Sequence, residues 1–184
     1  MIKCIGFAIL LLAFSGGAYA GGLVDEAQMG DVGAQLELGL RYASGRKTTK
    51  DPEQAVYWFS RAAEQGDATA QGLLGSAYSE GKGATQDYRK AIYWWTQSAE
   101  QGDSYSQHNL GMAYYTGKGT PKDYRQAYVW FLLSAANGSA TPAGDLSAVA
   151  SQLTTEELQS AKAEAETLQH KIESIKEAQG EWAR

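Results

Sequence analysis

The chain has 184 residues, with 16 Lys and Arg against 21 Asp and Glu and a formal net charge of −5, so a basic face for nucleic-acid binding is not expected. Its three prolines and its lack of alternating β-branched runs favour an all-α fold. A single cysteine excludes a disulfide within the chain.

Residues 1–20 contain the three parts of a secretory signal peptide. Lys3 gives the positive start, residues 5–14 form an apolar run, and Ala18-Tyr19-Ala20 is a small-x-small cleavage site. An apolar run of about ten residues is too short to cross a bilayer of roughly 30 Å as a helix, so we expect cleavage rather than a retained membrane anchor. Cleavage would remove Cys4, and with it any thiol catalysis or thiolate metal site. The mature protein would have no membrane span and would be periplasmic or secreted.

A period of 36 residues organises the mature chain. Three units align without gaps at 30–65, 66–101 and 102–137. Residues 21–29 match the end of a unit, with Ala27 in register with Ala63, and are predicted to form an N-terminal capping half-helix. Because a lone helical hairpin cannot bury its apolar face, the units should stack on one another.

Each unit is predicted to be a helix, a turn and a helix. In the second unit, Gly66-Asp67 should end the preceding helix and cap the next one, and Gln71, Leu74 and Tyr78 recur at helical spacing. A second capping residue, Asp87, should begin the second helix. Glycine also recurs inside the first helix, and we expect a recurring tryptophan to lie across each gap that it leaves. The glycines and tryptophans in order along the chain are Gly39, Gly75 and Gly111, with Trp58, Trp94 and Trp130.

The stretch Gly81-Lys82-Gly83 has the look of a phosphate-binding loop but lacks its spacing, its following Ser or Thr and a preceding strand. It recurs between the two helices of the third unit as well. We therefore interpret it as a turn, with Gly81 as a left-handed helix cap and Lys82 pointing into water.

Residues 138–184 begin as a degenerate fourth unit and continue as a different helix. Thr154 and Glu157 fit a capping box. Apolar residues then follow a heptad pattern: Leu158, Ala161, Ala165, Leu168, Ile172 and Ile175. This stripe predicts either a long capping helix laid along the last repeat or a seam for a weak dimer, so both a monomer and a weak dimer stay open.

The pattern best preserved in residues 70–102 resembles the Sel-one-like repeat, a 36-residue relative of the tetratricopeptide repeat. The first copy departs from it, since Lys47 replaces the second loop glycine and Pro52 replaces the loop tyrosine. The resemblance implies a right-handed α-solenoid that acts as a protein-interaction scaffold, with no shared catalytic residues. Its settings would be envelope regulation, secretion, host contact or inhibition of a partner.

Few residues offer chemistry for catalysis. His108 and His170 are the only histidines and lie far apart in the sequence. Asp31, Asp67 and Asp103 recur one unit apart, which places neighbours roughly 10 Å from each other, too far to share one metal ion. No catalytic, cofactor-binding or metal-binding residue is therefore predicted. The alternative, an envelope-associated hydrolase acting on cell-wall or antibiotic substrates, would need a buried pocket with two polar groups in hydrogen-bond reach.

Binding specificity is expected where the units differ, because residues required in every unit are better explained as core. In tetratricopeptide-like stacks the first helices line the concave face, and the variable positions there are predicted to contact a protein or peptide partner. Ordinary variability on a solvated face is the alternative interpretation. The groove candidates are Glu37, Arg41, Leu73, Tyr105, His108, Asn109, Met112 and Tyr115, with Leu40 and Ser76 on the same face.

Overall fold

The computed structural model describes residues 22–138 and 143–181. The predicted signal peptide therefore lies outside the described residues. The described chain is built from helices α1 (Leu23–Gln28), α2 (Val32–Ser44), α3 (Pro52–Glu64), α4 (Ala68–Glu80), α5 (Tyr88–Ala99), α6 (Ser104–Thr116), α7 (Tyr124–Ala136), α8 (Ala143–Ala150) and α9 (Thr155–Glu181). Within these residues no helix is both long and apolar enough to cross a membrane.

Aspartates begin the helices of all three units, as predicted. Asp67 accepts a hydrogen bond of 2.7 Å from the backbone N–H of Ala70 at the start of α4, and Asp31 and Asp103 cap α2 and α6 in the same way. The second helices begin with Asp87 and its counterparts, which accept from backbone N–H groups two or three residues further on. These caps satisfy amides that have no partner within the helix.

The turn inside each unit depends on left-handed backbone conformations. Gly81 ends α4 with φ 69°, which confirms its predicted role as a cap. Gly83 has φ 75°, and a Cβ there would overlap the carbonyl oxygen of Pro52 in the preceding unit. Lys47 takes the same position in the first unit and keeps a positive φ of 62°. The departure in the first copy therefore changes the residue and preserves the turn.

The glycines inside the first helices make room for aromatic rings, but the predicted tryptophans are not the ones involved. A Cβ on Gly75 would lie 2.5 Å from Cδ1 of Trp95, and the rings of Phe59 and Phe131 lie equally close to the other two glycines. The prediction was wrong by one position, which is about 100° around a helix. The predicted rings pack elsewhere in the core, as Trp58 does beside Ala27 and Leu38.

Buried glutamines connect successive units. Gln71 donates from Nε2 to the carbonyl of Ala63 at 3.1 Å, and its Oε1 accepts from Nε2 of Gln101 at 2.8 Å. Gln35 and Gln107 repeat the first contact with the units before them. Because a buried amide is costly without partners, these bonds fix the register in which the units stack.

The long helix α9 packs on the outer side of α7 and confirms the predicted capping helix. Ala161, Ala165 and Ile172 of the heptad stripe are buried in the same core cluster as Val129 and Leu133 of α7. At the polar edge, Glu164 pairs with Arg125 and accepts a 2.9 Å hydrogen bond from Gln126. Much of the stripe is thus used within one chain, and the weak dimer stays a prediction.

Candidate protein-binding surface

Three pockets lie in register along the first helices of the three units. We name them A, B and C; their cavity volumes are about 240, 230 and 210 Å³. Pocket A is lined by Glu37, Leu40, Arg41, Ser44 and Arg46. A shift of 36 residues gives residues of pocket B, namely Leu73, Ser76, Ala77, Glu80 and Lys82. A second shift gives residues of pocket C, namely Asn109, Met112, Ala113, Thr116 and Lys118. The array therefore repeats one cavity and changes its lining.

Pocket A is charged. Nε of Arg41 and Oε1 of Glu37 form an ion pair at 2.8 Å, one helical turn apart. The hydrogen bond from Arg41 holds the pKa of the Glu37 carboxyl below its ordinary value. Arg46, on the loop after α2, lies beside this pair. A ligand group here would meet a paired carboxylate and a neighbouring guanidinium.

Pocket B is mainly apolar. Its wall from the preceding unit includes Val56 and Phe59, and Leu73 faces them from α4. Lys82 lies at the rim, where its side chain is 73% exposed but forms a 2.5 Å ion pair with Glu80. The prediction that Lys82 points into water is therefore correct for its exposure, although its charge is partly neutralised by a neighbour.

Pocket C has a more polar set of lining residues than pocket B. Trp95 of α5 and Asn109 of α6 both line it, and Lys118 lies at its rim with Nζ 5.8 Å from the ring centre of Tyr88. Among the described residues, neither Nε1 of Trp95 nor Nδ2 of Asn109 has a hydrogen-bond partner, although both atoms are buried. Pocket C thus differs from pocket B in chemistry while sharing its position in the unit.

The structure brings five of the eight predicted groove residues into this row of pockets. They are Glu37, Arg41, Leu73, Asn109 and Met112. Tyr105 is 53% exposed, and its hydroxyl lies 3.4 Å from Oγ of Ser76, so it bridges the second and third units.

The other two groove candidates lie in aromatic contacts on the third unit. The ring of His108 is 5.4 Å from that of Phe131, and the ring of Tyr115 is 5.9 Å from that of Tyr124. Nδ1 of His108 is buried without a hydrogen-bond partner in the described part of the chain. These contacts place both side chains in inter-helix packing.

Sequence reasoning missed the second walls of pockets B and C, formed by Phe59 and Trp95. It also missed the basic residues at one loop position of every unit, Arg46, Lys82 and Lys118. The sequence contained a signal for these walls, because the residue that follows the invariant tryptophan is Phe in the first unit and Trp in the second. The sequence also contained a signal for the basic residues, because a positive charge recurs at the same loop position of every unit, a position that we had interpreted only as part of the turn.

A fourth cavity, of about 370 Å³, lies between α7 and α9 and was not anticipated. It is lined by apolar groups of Leu132, Ala136 and Ala165, with Lys162 and Gln169 among its polar residues. Across the described ranges, no cluster of three or more His, Cys, Asp or Glu side chains is arranged to hold a metal ion.

Comparison with known proteins gives a consistent family. A model of the Sel1 repeat matches residues 32–67, 68–103 and 104–139, with the same 36-residue period. A stretch of 56 residues is 46% identical to the secretory immunoglobulin A-binding protein EsiB of Escherichia coli O6:H1, strain CFT073. That stretch is 30% of this chain and 11% of EsiB, so the match spans about a tenth of the relative.

Solved structures show the same helical solenoid and confirm the predicted fold class. A Sel1 repeat protein from Oxalobacter formigenes aligns with a TM-score of 0.61 and 32% identity, over 64% of this chain and 49% of that one. A protective antigen of uropathogenic Escherichia coli with an SLR fold aligns with a TM-score of 0.56 and 28% identity, over 88% of this chain and 43% of that one. Cysteine rich protein B of Helicobacter pylori aligns with a TM-score of 0.54 and 26% identity, over 71% of this chain and 98% of that one.

Proposed function

This chain belongs to the Sel1 repeat family, and we propose that it is an exported, non-enzymatic scaffold that binds an extended segment of a partner protein along pockets A, B and C. Proteins with these repeats are generally protein-interaction scaffolds. The proposed binding face is the concave side of the array, formed by the first helices α2, α4 and α6.

The proposal rests on the row of three pockets, which occupy the same position in each unit but are lined by different residues. Neighbouring units in a helical stack lie roughly 10 Å apart, and three residues of an extended chain span about the same distance. An extended segment could therefore place one side chain in each pocket without folding first. Because the pockets already exist in the free protein, little rearrangement on binding is expected.

Export is supported by the signal-like features of residues 1–20. EsiB is named for binding to secretory immunoglobulin A, which supports a protein as the partner of this chain. The matching stretch covers only 11% of EsiB, so the identity of the partner does not follow from it.

Site-specific photocrosslinking tests the proposed surface. A photoreactive amino acid at Leu73 in pocket B should capture one defined partner in cells, whereas the same group at Tyr93, which is 57% exposed on α5, should not capture it. The captured protein, once purified, should bind the wild-type chain and bind Leu73→Arg at least tenfold more weakly. Equal labelling from both positions, or unchanged binding by Leu73→Arg, would contradict the proposal.

A further inference from the structure

We propose that the partner segment bound along pockets A, B and C is acidic, with carboxylate side chains toward the loops inside the units and an apolar side chain in pocket B. This inference rests on the proposed function, because it assigns a chemical class to the segment that the same surface would bind. Its basis is the distribution of charge along the array, which differs from that of the chain as a whole.

The row of pockets is positively charged, although the whole chain has a formal net charge of −5. Among the described residues that line pockets A, B and C, five are basic and two are acidic, and every pocket has an excess of basic residues. The cavity between α7 and α9 does not share this excess, since Lys162 and Glu166 balance there when His170 is neutral. The basic residues of the row are Arg41, Arg46, Lys50, Lys82 and Lys118, and the acidic residues are Glu37 and Glu80.

The charges of the repeats are sorted between the two edges of the array. The loops inside the units, at 45–50, 81–86 and 117–122, contain six basic residues and no acidic residue. The turns between the units, at 64–68 and 100–104, contain four acidic residues and no basic residue. Because each helix of a unit runs from one edge to the other, the two sets lie at opposite edges. The loop residues that also line the pockets are Arg46, Lys50, Lys82 and Lys118.

The carboxylates that follow the loops do not cancel this basic edge. Asp51 and Asp87 each accept hydrogen bonds from two backbone N–H groups at the start of the next helix, and Asp123 accepts one. Their negative charge is therefore offset at the helix N-terminus, where the helix dipole is positive.

Two carboxylates within the row do pair with basic residues. Glu37 pairs with Arg41, and Glu80 pairs with Lys82. The basic excess remains after both pairs are formed, and it is distributed over all three pockets. Its members, which form no ion pair with any described residue, are Arg46, Lys50 and Lys118.

The carboxylate of Glu37 shows how the basic residues of pocket A act on an anion. Nε of Arg41 donates a hydrogen bond to it and holds its pKa below the ordinary value, and the charges of Arg46 and Lys47 act in the same direction. A guanidinium has several N–H donors, and in the described part of the chain only Nε of Arg41 is hydrogen-bonded. The remaining donors are available to a carboxylate of the partner.

Pocket B indicates an acidic protein segment rather than a sulfated or phosphorylated polymer. Val56, Phe59 and Leu73 give this pocket an apolar wall, which an apolar side chain would remove from water. The backbone of a sulfated polysaccharide has no such side chain. Charge complementarity mainly raises the association rate and selects the partner, whereas the apolar contact slows dissociation.

Peptide selection on the purified protein tests the inference. The probe is a phage library of random dodecapeptides fused to the coat protein through their C-termini, so that every selected carboxylate is a side chain. The wild-type protein should enrich peptides that combine several Asp or Glu residues with an apolar residue. A pocket variant, which should lose the acidic preference, carries the changes Arg46→Gln, Lys82→Gln and Lys118→Gln.

A second variant with the same change of charge is the matched control. It carries Arg61→Gln, Lys90→Gln and Lys171→Gln, and these residues are exposed and do not line the three pockets. Lys90, like Lys118, lies over a tyrosine ring, so one such contact is lost in each variant. The control variant should enrich the same acidic peptides as the wild type.

Binding kinetics with one selected peptide give the magnitude. Loss of three exposed charge pairs should weaken binding to the pocket variant about tenfold at low salt, and the control variant should bind within about twofold of the wild type. The difference should lie mainly in the association rate and should shrink as salt is added, because salt screens exposed charges. Leu73→Asn, which gives pocket B the residue found in pocket C, should instead speed dissociation about tenfold and leave the salt dependence unchanged.

The outcomes separate this inference from the proposed function. If neutral or basic peptides were enriched, or if both variants kept the acidic preference, the acidic segment would be wrong, while weaker binding by Leu73→Asn would still support the surface. Heparin bound as tightly as the selected peptide would assign the row to polyanions and would also overturn the inference. Failure to enrich any peptide, or binding unaffected by Leu73→Asn, would contradict the binding surface itself and the inference with it.

Discussion

Replacing Gly75 by alanine should destabilise the protein, although alanine is the better helix former. Gly75 lies in the middle of α4, and a Cβ there would be 2.5 Å from Cδ1 and 2.7 Å from Nε1 of Trp95. The helix gains about 1 kcal/mol from the substitution. Overpacking of a buried site costs typically about 1 to 3 kcal/mol. Because Trp95 is buried between α4 and its neighbours, we expect the cost to exceed the gain, with a net loss of up to about 2 kcal/mol.

Gly33→Ala is the matched control. A Cβ on Gly33 would approach only Oδ1 of Asp31, at an ordinary contact distance of 3.4 Å. Gly33 is in the first turn of α2, where the helix-propensity gain should lie between about 0 and 1 kcal/mol. The same chemical change is therefore expected to have opposite signs at the two positions.

Urea unfolding followed by far-ultraviolet circular dichroism measures both effects. The midpoint should fall for Gly75→Ala and stay the same or rise for Gly33→Ala, with the slope unchanged in both. If Gly75→Ala were as stable as Gly33→Ala, the close approach of Trp95 would not be the reason for glycine at this position.

Three further changes have defined outcomes. Lys47→Gly should raise the free energy of unfolding by up to about 1 kcal/mol. A left-handed φ costs an L-residue about 1 to 2 kcal/mol, but glycine also increases the entropy of the unfolded chain, which offsets part of the stabilisation. Lys47→Ala keeps the unfavourable φ and should give no gain in melting temperature. Leu133→Gln, which copies the residue found at this register in the second unit, should cost about 2 to 5 kcal/mol and speed amide hydrogen exchange in α9. Hydrogen bonds from the backbone N–H and hydroxyl of Thr154 hold the pKa of Glu157 below its ordinary value of 4.5, so their stabilisation is present above that pH and lost as the pH falls through the lowered value. Melting temperature should therefore depend less on pH below about 4.5 in Glu157→Gln than in the wild type.

The repeat and its caps were predictable because the same residues recur for the same local reason. Asp67 and Gly81 act on their own helix ends, so the signal and its effect lie within a few residues. The ring that covers Gly75 was not predictable in the same way. Trp94 and Trp95 are adjacent, and about 100° of helix rotation separates their directions. We predicted that the invariant tryptophan covers the glycine, whereas the residue that does so is the next one along the helix, which varies between Phe and Trp.

The docking site of α9 had a sequence signal that was not used. Tyr57 and Tyr93 are exposed on the second helices of the first two units, but Val129 at the same register is completely buried. Leu133 likewise takes the place of Gln97 and is buried against α9. A polar outer face that becomes apolar in the last unit indicates what covers it, and comparison of second helices as well as first helices would have located the cap.

Differences among the copies therefore have two physical origins. On the outer face of α7, polar positions become apolar, and the chain itself covers them with α9, so folding alone accounts for the change. In pocket C the change is in the other direction, because Phe becomes Trp95, Leu becomes Asn109, and Lys118 loses the carboxylate that its counterpart has. Pocket C is therefore more polar than pocket B, although the two pockets share one position in the unit. The apolar change on α7 is thus accounted for by packing within the chain, whereas the polar change in pocket C lies at an open cavity of the proposed binding surface, where a partner would meet it.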